Sequence, residues 1–137
     1  MMRIISLSFL LAVTLLGCGE EKSKRPENAL DTGRAFIRSS LNGEFEQASG
    51  LIWQDSANKS LFDSYRLFYQ RMPNEKKENY RNASFEINKM LDLDDSTTII
   101  NFSNSYMNKP MDIKLIRRKN SWWVDFKYSY SGNLPID

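Results

Sequence analysis

The spacing of apolar residues in this chain changes once, near residue 80, and that change limits its architecture more than any other feature. Before it, apolar residues recur with the period of a helix; after it, they alternate as in a strand. The first helical pattern follows Pro26-Glu27, buries Leu30, Phe36, Ile37 and Leu41, and leaves Arg34 and Arg38 outside. It stops at Asn42-Gly43, residues that tolerate the left-handed backbone of a C-terminal cap. A second, short pattern carries Phe45, Ala48, Leu51 and Ile52 and ends near Trp53. The third runs from Lys59 to Met72 with Leu61, Phe62, Tyr65, Phe68, Tyr69 and Met72 on its apolar side, and Pro73-Asn74 ends it. Strand-like runs follow at 82–93, 97–107, 111–119 and 122–130, separated by Asp94-Asp95-Ser96, Asn108-Lys109-Pro110 and Asn120-Ser121. Links this short join antiparallel neighbours, because a parallel crossover needs about a dozen residues or more. The expected fold is α+β: three N-terminal helices packed on a curved four-stranded antiparallel meander, all within one domain over 26–137.

The N-terminus is of another kind. Met1-Met2-Arg3 leads into an apolar run from Ile4 to Leu16, broken only by Ser6, Ser8 and Thr14. That run falls short of the about 20 residues that cross a bilayer, and it matches the charged and apolar regions of an export signal. It closes on Leu15-Leu16-Gly17-Cys18, which holds the only cysteine in the chain. The segment resembles the bacterial lipoprotein signal. The resemblance implies that residues 1–17 are removed, that Cys18 carries a diacylglyceryl group, and that its new amine is acylated. Two or three acyl chains hold a protein firmly at a membrane. Residues 18–25 are polar and without periodicity, as in a flexible tether. Gly19, where an inner-membrane retention signal has Asp, favours the outer membrane of the cell envelope. Glu20-Glu21 resembles the charged surface-export tag of some lipoproteins, so the periplasmic face and the cell surface both stay open.

Composition removes several chemistries. The chain has no His and one Cys, so it cannot form an intramolecular disulfide, a His-dependent nucleophile system or a His-ligated zinc site. A net charge of +2 is too balanced for a nucleic-acid partner. No cofactor or metal is expected. Asp92-Leu93-Asp94-Asp95 has Thr97 and Ser103 where a calcium loop needs Gly and Glu, and it reads as a hairpin turn. Arg117-Arg118-Lys119 reads as a solvated strand end.

The element order, with Pro26-Glu27, Ala35-Phe36-Ile37, Asn42-Gly43-Glu44-Phe45-Glu46-Gln47-Ala48 and the late Trp122-Trp123-Val124-Asp125, resembles small bacterial lipoproteins carrying a domain of unknown function of the nuclear-transport-factor-two-like (SnoaL-like) superfamily. The resemblance implies a cone-shaped α+β fold. Enzymes, transport factors, immunity proteins and interaction modules share that cone, so it does not choose a function.

Candidate sites lie mainly near the chain's end. Over 122–130, Trp122, Val124, Phe126, Tyr128 and Tyr130 point to one face of the expected strand, and Trp123, Asp125, Lys127 and Ser129 to the other. The aromatic face reads as core; in a cone it also lines a pocket, where Trp122 and Tyr128 would join Asn104 and Tyr106. Trp123, a large aromatic on the polar face, is the candidate partner surface, or is covered by the residues that follow Gly132. The functional expectation is a non-catalytic, lipid-anchored domain that binds a small apolar ligand or an envelope protein. The alternatives are a cone-fold enzyme of isomerase or dehydratase type with an aromatic pocket and one carboxylate, and an inhibitor or immunity-like protein acting around Trp123.

Overall fold

A computed structural model of the chain describes residues 24–130. The expected export signal, Cys18 and most of the expected tether lie outside the described residues. Among the described residues four helices precede the sheet: α1 (Ala29–Asn42), α2 (Phe45–Ser49), α3 (Ser56–Arg71) and α4 (Asn74–Asn82). The strands β1 (Phe85–Asp94), β2 (Thr97–Asn104), β3 (Met111–Arg118) and β4 (Ser121–Val124) form one antiparallel sheet in the order β1-β2-β3-β4. A short helix α5 (Phe126–Tyr130) follows. The α+β class and the antiparallel meander are as the periodicity predicts. The helix count is four before the sheet, not three. Helix α4, NEKKENYRN, has one apolar residue, Tyr80, so no periodicity could announce it.

Local chemistry sets the ends of α1. Asn28 caps it by accepting a 2.8 Å hydrogen bond from the Asp31 amide, so Pro26 stands just outside. At the other end Gly43 takes φ +75°, and the amides of Gly43 and Glu44 donate to the Ser40 and Ser39 carbonyls at 3.2 and 2.9 Å, a Schellman closure. A Cβ at Gly43 would also lie 2.8 Å from the Tyr69 hydroxyl.

The inner face of the sheet is apolar. Ile100 pairs with Ile113, Phe102 with Met111, and Leu115 with Val124. Helix α1 lies so close to it that a Cβ at Gly33 would stand 2.7 Å from Ile100 Cδ1. Residues 51–53 run beside β4, with Val124 N donating to Leu51 O at 2.8 Å and Trp53 N to Val124 O at 2.9 Å.

The main correction concerns the last segment. Strand alternation stops at Val124, and Phe126–Tyr130 is helical. Phe126 is buried, with ring centroids 5.2 Å from Phe62, 5.7 Å from Tyr65 and 6.1 Å from Phe36. These contacts, edge-on to Phe62 and Phe36 and tilted to Tyr65, hold Phe126 whichever backbone brings it there, so the aromatic spacing alone does not decide between strand and helix.

Candidate functional site

An apolar cavity of about 120 Å³ lies between α1, the C-terminal half of α3, α5 and the far ends of β2 and β3. Phe36, Ile37 and Leu41 of α1, Tyr65 and Phe68 of α3 with its C-cap residue Met72, and Phe102, Met111 and Ile113 of the sheet supply most of its wall. Two serines interrupt it, Ser40 from α1 and Ser129 from α5. Both hydroxyl oxygens are buried and, among the described residues, have no hydrogen-bond partner. A buried hydroxyl without a partner costs about 1–3 kcal/mol, so two of them lining one apolar space call for an explanation. Tyr69 also lines the cavity and its hydroxyl is likewise unpartnered, but that hydroxyl sits against Gly43 at the end of α1.

Burial pushes the Tyr65 phenol well above its ordinary range, helped by the neighbouring Tyr80 and Tyr69. Tyr80 is raised too, by burial and by Tyr106. Both stay protonated at neutral pH. The one carboxylate of the lining, Asp112, accepts a 2.6 Å hydrogen bond from Asn101 Nδ2. That pair belongs to the opposite sheet face from Met111 and Ile113, because successive strand residues alternate.

The residues singled out from the sequence separate here. Asn104 lines the cavity and is buried, but its Oδ1 is already committed, accepting from the amides of Tyr106 (3.1 Å) and Met107 (2.8 Å) to build the β2–β3 turn. Tyr106 lies beyond the end of β2, 38% exposed, edge-on to Tyr80 at 4.9 Å. Trp122 packs against the core but does not line the cavity. Tyr128, 37% exposed, lies under Lys114 with the ammonium 5.7 Å from its ring, also outside the lining, because the helical turn swings it away from Phe126.

Trp123 is half-buried by residues of the domain itself; the residues after Gly132, expected as its cover, lie outside the described residues. The Arg25 guanidinium stacks 3.8 Å from its ring centroid, Trp53 meets it edge-on at 5.6 Å, and its Nε1 donates to Arg118 O at 3.0 Å. Arg25, expected in the flexible tether, is thus folded onto the domain. Its Nη1 donates to Gly50 O and its Nη2 to Trp122 O, each at 2.9 Å.

Asp125, expected on a solvated face, is 6% exposed. Asn58 Nδ2 donates to it at 3.2 Å, Lys127 Nζ stands 3.2 Å away and Lys114 Nζ 3.8 Å. Asn58, fully buried, also accepts from the Lys127 amide at 2.8 Å. Asp55 caps α3 through the Asn58 amide and pairs with Lys127 at 3.2 Å. The backbone hydrogen bond from Asn58 holds the Asp55 carboxyl below its usual value, against a smaller opposing effect of desolvation and with help from Lys127. Desolvation pulls the Lys127 ammonium down, but hydrogen bonds to Asp125 and Asp55 outweigh it and raise the group. The cluster fastens α5 to α3 and β3, and so holds Phe126 and Ser129 in the cavity wall. Among the described residues no three His, Cys, Asp or Glu side chains gather as a metal site, and no helix is long and apolar enough to cross a membrane.

No family model matches the chain, and no curated protein matches it either. The site must be read from its own geometry.

The sequence reasoning missed both serines. Ser40 was within reach, since it lies four residues after Phe36 and three after Ile37, on the buried face of α1. Ser129 carried no such signal: strand alternation turns it outward, and only the helical α5 turns it in.

Proposed function

We propose that the mature protein is a non-catalytic, lipid-anchored envelope domain that holds a small, largely apolar molecule with one hydrogen-bonding group. The carrying observation is the pair of unpartnered hydroxyls, Ser40 Oγ and Ser129 Oγ, on an otherwise apolar cavity. An apolar cavity of about 150 Å³ accepts benzene, so about 120 Å³ suits one ring or a short acyl end rather than a drug-sized ligand. Either serine can donate to an oxygen or accept from a hydroxyl of the guest. The lipoprotein-like signal supports anchoring through Cys18, at the outer membrane. Helices preceding a four-stranded antiparallel sheet are compatible with the cone-shaped superfamily, whose members use the space between helices and sheet in many ways. An acid–base enzyme would need a carboxylate turned into the cavity, and Asp112 engages Asn101 instead.

The binding claim is tested by titrating the protein with phenol and toluene, two rings that differ by a hydroxyl. Phenol should bind more tightly, and Ser40→Ala with Ser129→Ala should erase the preference. If neither compound binds, the space is a packing gap and the proposal fails. Anchoring is tested by palmitate labelling in cells; label that persists in Cys18→Ala would refute it.

A further inference from the structure

The strands set two ends to this domain. The β1–β2 and β3–β4 turns lie at one end, where Thr97 pairs with Ile116; the β2–β3 connection lies at the other, where Phe102 pairs with Met111. Five residues separate those pairs along β3, or about 17 Å at strand rise. Phe102, Asn104 and Met111 place the cavity at the β2–β3 end.

Arg25 fixes where the chain enters. Its guanidinium lies on Trp123, and it donates to the carbonyl of Trp122, the register partner of Arg117. Trp123 in turn donates to Arg118 O. The entry point therefore lies directly beside the β3–β4 turn, opposite the cavity. That turn is a tight two-residue reversal with Lys119 at φ 52° and Asn120 at φ 59°, which gives it a defined shape. Arg117, Arg118 and Lys119 are all exposed on it, and among the described residues none pairs with a carboxylate. Asp94, at the end of β1, and Asp95 are neighbours, since the Arg117 amide donates to Ser96 O at 2.8 Å; Asp94 is engaged with the Ser96 amide, and neither carboxylate lies within 4 Å of the three basic groups.

We propose that the Arg117–Lys119 turn is a second membrane contact, seated on anionic lipid headgroups, which holds the domain with its cavity end pointing away from the bilayer. The proposal rests on anchoring through Cys18. Seven residue steps lead from Cys18 to Arg25, at most about 25 Å of extended chain. The potential of an anionic surface decays within about 10 Å, so only the part of the domain nearest the anchor feels it. The clamp makes the basic turn that part. One consequence follows for the site above: the ligand enters from the aqueous compartment, not from the leaflet that holds the anchor.

The test uses the lipidated full-length product reconstituted into vesicles, with a spin label at Ser121→Cys beside the turn or at Lys109→Cys at the cavity end. Nickel-chelating lipids report which label lies at the headgroups. In vesicles rich in phosphatidylglycerol, the label at residue 121 should be relaxed by nickel and the label at 109 should not. Phosphatidylcholine vesicles, salt near 1 M, or the triple variant Arg117→Gln/Arg118→Gln/Lys119→Gln should each abolish the effect while the protein stays bound. The triple variant should shift the docked-to-undocked ratio on the order of 100-fold, about fivefold per lost charge. Retained protein whose label at 121 responds equally to both lipids, or whose label at 109 is the one relaxed, overturns the proposal and leaves anchoring intact. Protein with no lipid on Cys18 by mass spectrometry refutes the anchoring and this proposal together.

Discussion

Replacing Ser129 by alanine separates a ligand-holding hydroxyl from a structural one. In the protein described here, Ser129 is 2% exposed and its Oγ finds no partner among the described residues. Burying a hydroxyl in that state costs about 1–3 kcal/mol, which Ser129→Ala removes. Alanine also favours the helical backbone of α5 by a few tenths of a kcal/mol. Against this, losing one oxygen enlarges the cavity slightly, at roughly 24 cal/mol per Å³, a smaller effect. The ligand-free variant should thus gain about 1 kcal/mol, which raises Tm by about 4 °C in a domain near this size. With saturating phenol the order should reverse in benefit: wild type gains more stability from the ligand than the variant does, since only wild type offers the hydrogen bond. Urea and thermal unfolding with and without phenol read both effects. If Ser129→Ala loses 1 kcal/mol or more without ligand, the hydroxyl has a structural partner, and the reasoning behind the site is wrong. A gain in stability with unchanged ligand benefit would also defeat it, by showing that the guest ignores Ser129.

Asn58→Ala should destabilise by about 2–4 kcal/mol in urea titration, because it strands the part-buried Lys127 amide and leaves Asp125 Oδ1 with Lys127 Nζ as its remaining partner. Asp55→Ala should cost about 1 kcal/mol for the lost cap, while Asp55→Asn, which can still cap, should lose less. The same cluster sets a pH profile. The depressed Asp55 carboxyl contributes stability present above its ordinary value near 3.8 and lost as pH falls through the lower folded value. The raised Lys127 ammonium contributes stability that is full below its ordinary value near 10.5 and lost as pH rises through the higher folded value. Urea midpoints should accordingly fall at both extremes, and Lys127→Met should flatten the alkaline fall; an unchanged alkaline limb would show that another group sets it. Arg25→Ala should cost about 1–2 kcal/mol and redden Trp123 emission as the indole loses its cover, so unaltered fluorescence would argue against the clamp.

Much of the architecture is legible in the residue pattern, and the limits of that legibility have identifiable causes. Leu61, Phe62, Tyr65, Phe68, Tyr69 and Met72 recur at helical spacing, and α3 forms there. Thr98, Ile100, Phe102 and Asn104 alternate, and all four are buried on one face of β2. Gly43 ends α1 as its sequence demands. Helix α4 was missed because a helix held by one tyrosine and an Arg38 contact to Ala83 O displays no apolar stripe. Of the four candidate pocket residues only Asn104 lines the cavity: β2 ends before Tyr106, Trp122 lies in β4 away from the lining, and Tyr128 lies in α5 where a strand was expected.

Periodicity is a local property: it records which side of an element meets the core, and from it the sequence by itself determined the α+β class, the order of strands and the bulk of the buried set. What lies at the chain's end was decided elsewhere. Asn58, 67 residues before Asp125, draws that carboxylate and the Lys127 amide onto α3, and the backbone there coils rather than extends. That turn buries Asp125 and Ser129, exposes Tyr128, and closes the cavity with Phe126. No spacing within 122–130 encodes the choice, because the hydrogen bonds that make it belong to residues brought close only by the folded chain.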